Sequence, residues 1–179
     1  IQEGDRVVVN KLAYDLKVPF TTIDIVKWDD PERGDIVVLF SPVDGTRLVK
    51  RVVAIPGDKV EMRDNQLFAN GRIAKQSPIG MGSTEDAGPV NILDEDLYGH
   101  NHKVMLTPEI PAVRSFGPVT VPEGNYFVLG DNRDNSNDSR FIGFIERRRI
   151  VGKAVAVAFS LDRSRYFIPR MDRFFESLN

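Results

Sequence analysis

The chain has 179 residues; 24 are Lys or Arg and 26 are Asp or Glu, a net charge of −2, while 41% are hydrophobic and none is cysteine. That size suits one domain or one domain carrying a large insertion, with enough apolar content for a packed core. Thiolate catalysis, disulfides and cysteine-bound zinc are excluded, and so slight a net charge offers no basic field to attract nucleic acid.

Read in chain order, the pattern is mostly β. Residues 6–10 form a β-branched run, and Ile36–Phe40 follows the turn Gly34-Asp35. Trp28, in the polar turn Lys27-Trp28-Asp29-Asp30-Pro31, is expected to cap a small core, with membrane contact as the alternative. Residues 46–55 predict a strand closed by Pro56-Gly57-Asp58. Residues 60–62 and 66–69 flank Arg63-Asp64-Asn65 and read as a hairpin, and Asn70-Gly71 turns the chain again. Residues 74–116 are rich in Gly and Pro and weakly periodic, so irregular structure is expected there, with one or two strands such as 103–106. Strand pattern returns at 119–121, 126–129 and 152–159. Met171, Phe174, Phe175 and Leu178 repeat with helical spacing and predict a short docked helix, or a face that touches lipid. The apolar patch Tyr166-Phe167-Ile168-Pro169 is a second candidate for lipid contact. No apolar run approaches the roughly 18–20 residues of a spanning helix. The chain begins with Ile1 rather than Met, so an upstream segment, a membrane anchor among the possibilities, is expected.

Alternation over residues 46–55 puts Leu48, Lys50, Val52 and Ala54 on one face, with Lys50 its only charge. Such a lysine snorkels, finds a partner, or loses its proton; burial lowers its pKa, and a neutral amine can act as general base toward a serine hydroxyl. Residues 130–140 are dense in Asp, Asn and Ser. A calcium loop fails on spacing, because Arg133, Ser136 and Ile142 fall where ligands and glycine are needed. A solvated surface loop is one reading, and a loop locked by ion pairs, with a serine holding the lysine, is another. Composition leaves both open. His100 and His102 alternate, but no further ligand stands close enough to make zinc the better reading than a polar loop.

Four segments stand in order along the chain: Gly4-Asp5-Arg6-Val7-Val8-Val9-Asn10-Lys11, Arg33-Gly34-Asp35-Ile36-Val37-Val38, Lys50-Arg51-Val52-Val53-Ala54-Ile55-Pro56-Gly57-Asp58, and residues 130–140 followed by Gly143. Together they resemble the bacterial type I signal peptidases. The resemblance implies an all-β fold: a barrel-like catalytic core of antiparallel sheets from residues 1–58 and 122–179, with 59–121 as an inserted β subdomain. It implies a Ser-Lys endopeptidase without cofactor or metal. Lys50 would be the general base and Ser136 its orienting partner. Arg51 with Asp131, and Asp138 with Arg140, would be structural salt bridges. Ile1, Val7, Val38, Leu48 and Val49 would line shallow pockets for Ala-X-Ala. Signal-peptide-bearing preproteins would bind as an extended strand, and the other partner would be the lipid surface of a bacterial inner membrane, with this domain on the periplasmic side and no nucleic acid involved. In that family the nucleophilic serine stands in Ser-Met-X-Pro-Thr, directly before the position of Ile1. Residues 1–20 contain no serine to replace it, so this chain alone is expected to hold a base without a nucleophile and to be inactive. The alternatives are a conjugation-type or repressor-type Ser-Lys peptidase, and a non-catalytic relative that grips extended peptides.

Overall fold

The computed structural model describes residues 5–17, 24–84, 88–162, 168–169 and 177–178. The strands are β1 (Asp5–Asn10), β2 (Asp15–Lys17), β3 (Asp24–Lys27), β4 (Ile36–Phe40), β5 (Arg47–Ala54), β6 (Lys59–Arg63), β7 (Gln66–Ala69) and β8 (Arg72–Ile73). They continue as β9 (Lys75–Thr84), β10 (Gly88–Leu97), β11 (His100–Leu106), β12 (Phe116–Thr120) and β13 (Asn125–Leu129). A one-turn helix α1 (Ser139–Ile142) then precedes β14 (Ile145–Glu146), β15 (Ile150–Asp162) and β16 (Ile168–Pro169). The fold is all-β, and its strand pairs are antiparallel.

The main sheet runs β1-β15-β4-β5-β13-β14, with β16 beside β15. Strand β4 lies inside it, which explains its unbroken apolar run: Ile36, Val37, Val38 and Leu39 are all buried. Strand β1 is an edge and keeps clean alternation, with Val7 and Val9 turned inward. A register shift where β5 meets β13 lies at Val53. Val52 therefore packs with Val37, Leu39 and Val128, whereas Val53 and Ala54 both pack with Phe127 and Leu129. A bulge thus breaks the strict alternation expected for the end of β5.

Strands β6 and β7 turn through Asp64 and Asn65, whose φ angles of 47° and 65° are those of a hairpin turn with two left-handed residues. Residues 74–116 depart from expectation. They contain a three-stranded sheet, β11-β10-β9, with two ten-residue strands. Strand β9 is the edge of that sheet, so Pro78, Gly80 and Gly82 are tolerated where a central strand would lose ladder bonds. Trp28 is another departure: it is 52% exposed and belongs to none of the apolar clusters of the described residues. Among the described residues no helix is long and apolar enough to cross a membrane. Of the expected terminal helix, Met171, Phe174 and Phe175 lie outside the described residues. Ser177 bridges Ala156, and Leu178 packs beside Ile36 and Val38.

Candidate active site

Lys50 projects from β5 between Leu48 and Val52, and its Nζ donates to Ser136 Oγ at 2.9 Å. The two residues are 86 positions apart in the chain. Burial pushes the Lys50 ammonium below the ordinary lysine range; Asp138 opposes this, Arg140 adds to it, and Asp131 opposes it. Desolvation is the larger influence, so the amine is shifted toward the neutral state that a proton acceptor requires.

Ser136 is placed by a loop closed at both ends. Strand β13 ends at Leu129, and the amide of Gly130 donates to Asp138 Oδ2 at 3.0 Å. Asp138 also caps α1, receives Arg140 Nε and Nη2 at 2.8 Å each, and stands near the Ser136 side chain. Burial alone would raise the Asp138 carboxyl. Arg140, the Gly130 amide and Ser136 outweigh it and hold the carboxyl below its usual range. Asp131 is similar: burial is overcome by Arg51, which meets it in a two-pronged contact at 2.9 and 3.0 Å. Arg51 also donates to the Gly34 carbonyl, tying the loop to the turn before β4. Gly130 leaves room for this packing, since a Cβ there would run into Ser136 Oγ and lie 3.5 Å from Lys50 Nζ.

Sequence reasoning missed the contacts that reach this loop from residues 59–121. Arg133, 1% exposed, pairs with the fully buried Glu95 of β10. Asp134 accepts from Arg114 Nε at 3.0 Å, from the Thr107 amide at 2.7 Å and from Asn65. Met105 and Asn132 form a short parallel bridge. A signal for Glu95 existed: it stands between Leu93 and Leu97 as the one charge on that face of its strand, as Lys50 does on β5. Its partner, Arg133, lay in a segment read either as a solvated loop or as a loop locked by ion pairs. His102 is buried beside Glu95 at 3.4 Å, while His100 is exposed. Among the described residues no three His, Asp or Glu side chains gather as metal ligands.

Of the residues expected to line substrate pockets, Val7, Val38 and Val49 meet in one apolar cluster with Ile36 and Ala154. Leu48 is not among them; it lies on the opposite face of β5, with Tyr14, Val37 and Leu39. Ile1, Tyr166 and Phe167 lie outside the described residues.

Among the described residues, the backbone of β5 is unpaired on one side next to Lys50. The Val52 amide donates to the Asp35 carbonyl and Thr46 accepts from Ser41, so even-numbered residues aim their polar groups at β4. Arg47 and Val49 aim theirs the other way. There β13 pairs only as far as Arg51, and no described strand continues beside Arg47–Lys50.

Comparison with known proteins bears on this arrangement. The family model described as signal peptidase, peptidase S26, matches residues 1–159. Signal peptidase I of Pseudomonas aeruginosa is 34% identical over 172 residues, covering 89% of this chain and 60% of that protein. Signal peptidase I P of Bacillus subtilis subsp. natto is 37% identical over 138 residues, covering 76% of this chain and 64% of that protein. A crystal structure of a signal peptidase I from Enterococcus faecalis V583 aligns with 32% identity and a TM-score of 0.43, covering 70% of this chain and 97% of that one. The chain spans about three fifths of the length of the first curated relatives it matches. With the family model matching residues 1–159 and so much of the chain shared with these relatives, the chain belongs to the signal peptidase S26 family.

Proposed function

We propose that this chain is the catalytic part of a membrane-associated serine endopeptidase that removes signal peptides from exported preproteins. The observation that carries the proposal is the Lys50 Nζ to Ser136 Oγ contact of 2.9 Å around an amine whose pKa burial depresses. A serine hydroxyl, supplied by residues preceding Ile1, attacks the scissile carbonyl while neutral Lys50 takes its proton. The resulting ammonium gives that proton to the leaving amine, and an acyl-enzyme remains. Lys50, neutral again, deprotonates a water that attacks the ester; the acid product leaves and the serine regains its proton. Ser136 holds the amine in line, while Asp138 and Arg140 hold the loop that carries Ser136. Arg51 and Asp131 fix the loop and take no part in the chemistry.

The open edge of β5 suits a substrate bound as an added strand, because its main-chain hydrogen bonds hold a peptide with little side-chain readout. Alternate substrate side chains would meet Val7, Val38 and Val49 on one face, and Leu48 and Lys50 on the other. No metal or organic cofactor is required.

For the membrane partner, support comes from the β2–β3 hairpin and its flanks, where Leu16, Ile25, Val26 and Trp28 are all exposed. We place this surface against the bilayer on the periplasmic side of a bacterial inner membrane. Replacing Ile25, Val26 and Trp28 together with Ser should weaken co-sedimentation with phospholipid vesicles several-fold; undiminished sedimentation would remove this surface from the proposal.

The decisive test uses the full-length natural protein and a preprotein ending its signal in Ala-X-Ala. Cleavage is expected, and Lys50→Ala should lower kcat/KM by about 10²–10⁴-fold with the far-UV spectrum unchanged. Cleavage that survives the substitution would show that Lys50 is not the base. Binding without cleavage by the parent protein would make the chain a peptide-binding relative.

A further inference from the structure

We propose that Glu95, on β10, is a positioning residue for the Lys50–Ser136 pair, so that residues 59–121 supply part of the active-site scaffold. The proposal rests on the reading of Lys50 and Ser136 as catalytic partners. Glu95 is wholly buried, and its carboxylate receives Arg133, with Arg133 Nη1 at 3.1 Å from Oε2. Gln76 of β9 donates to the same oxygen at 2.8 Å, and His102 stands beside the other. Burial resists the charge, yet Arg133, His102 and Gln76 bring the carboxyl down to about 2. It is therefore ionised wherever the protein is folded at neutral pH.

A buried ion pair is an expensive way to hold two strands together, since apolar side chains of similar size often stabilise as well or better. What it supplies here is a fixed direction. The carbonyl of Arg133 accepts Arg140 Nη2; Arg140 grips Asp138; Asp138 holds the amide of Gly130, against which Ser136 packs; and Ser136 receives Lys50. A chain of hydrogen bonds, closed by the packing of Ser136 on Gly130, thus runs from a strand outside the main sheet to the amine. Arg133 is held at its guanidinium by β10 and at its carbonyl by Arg140, so its backbone, three residues before Ser136, has little freedom. Asp134, held by Arg114 and the Thr107 amide, restrains the next residue.

The test has a kinetic arm and a titration arm. In the full-length protein, Glu95→Gln removes the charge that holds Arg133 while keeping size and shape. Measured where its far-UV spectrum matches the parent, it should lower kcat by about tenfold or more, since small displacements of a catalytic group cost rates of that order. KM should stay within about twofold, because Glu95 belongs to a different sheet from β5. A folded Glu95→Gln protein with parental kcat overturns the proposal, and so does a rise in KM with kcat unchanged. The second variant, Glu95→Leu with Arg133→Met, removes both charges together and should fold even if the first does not. In protein labelled with ¹³C at lysine Cε, its Lys50 titration should move up toward the ordinary lysine range as the loosened loop admits water. An unmoved Lys50 midpoint overturns the proposal. This arm needs no activity, so a parent protein that fails to cleave counts against the proposed function, while Glu95 is still judged by the titration.

Discussion

Lys50 is set between burial, which favours its neutral form, and two carboxylates, which favour its charge. The depressed pKa has a consequence for stability as well as for rate. Between the folded-state pKa and the ordinary lysine value, the unfolded chain binds a proton that the native chain does not, so stability rises with pH across that window. Below the folded-state pKa both states are protonated, and the full cost of burying an ammonium is present. Lys50→Met should therefore leave the urea midpoint unchanged or raised at about pH 6, with the difference from the parent shrinking toward pH 10, while cleavage is lost. A clear fall in the midpoint at the lower pH would mean that the amine helps hold the fold. Cleavage itself should rise with pH through the Lys50 pKa, because only the neutral amine accepts a proton. Gly130 tests the same geometry from the other side. Gly130→Ala places a methyl group where Ser136 Oγ stands; the serine must move, and kcat should drop by about 10²-fold. Overpacking of this kind costs about 1–3 kcal/mol, so thermal unfolding should show a modest loss. Parental kcat in a folded Gly130→Ala protein would show that Ser136 has no bearing on the amine. Lys50 stood out in the sequence as a lone charge on an apolar strand face, an anomaly that a snorkelling lysine also satisfies, and the role of base came from the resemblance alone. Its bond to Ser136 was not legible, because nothing in the spacing of two residues 86 positions apart specifies that they meet; only the resemblance of residues 130–140 to a known box singled that serine out.

Among the elements, β5 does most to define the site. One edge is paired with β4 from Arg47 to Arg51, and the other is covered by β13 only from Arg51 onward. This asymmetry allows a backbone test. Val49 aims its amide at the open edge, so Val49→Pro removes a donor that the ladder with β4 does not use, and proline is tolerated on such an edge. If an extended substrate docks there, KM should rise several-fold, up to about tenfold, the worth of the one hydrogen bond lost to a bound peptide. The urea midpoint should move little. An unchanged KM would put the substrate elsewhere. The central strands were easy to foresee, because β-branched runs and alternation are properties of the strand itself: Ile36–Phe40 and Gln66–Ala69 fall where their residues indicate. Strands β9 and β10 were hidden for a different reason. Their Pro and Gly residues signal breaks locally, and what makes them acceptable in β9 is its place at a sheet edge, which only the assembled sheet reveals.

In the molecule as a whole, residues 59–121 and the main sheet share a core. One apolar cluster joins Val53, Ala54, Phe127 and Leu129 of the main sheet to Val60, Met62, Leu67, Ala74, Leu97 and Val121. Phe116 stacks on Phe127 with ring centroids 5.1 Å apart, adding an aromatic contact across the same junction. The Glu95–Arg133 and Arg114–Asp134 pairs cross it as well. Two units with separate cores could open independently, whereas a shared core ties their stabilities together. Leu97→Ala distinguishes the two cases. Leu97 is fully buried, and its truncation should cost about 2–5 kcal/mol. Native-state hydrogen exchange can then be followed at Val104 in β11 and at Val38 in β4, which lie in different sheets and are both buried. With one cooperative unit, both amides should lose protection by a similar amount. If Val104 alone becomes labile while Val38 keeps its parental protection, the inserted strands are a separable subdomain. Their hold on the loop that carries Ser136 would then be a docking contact rather than part of the fold.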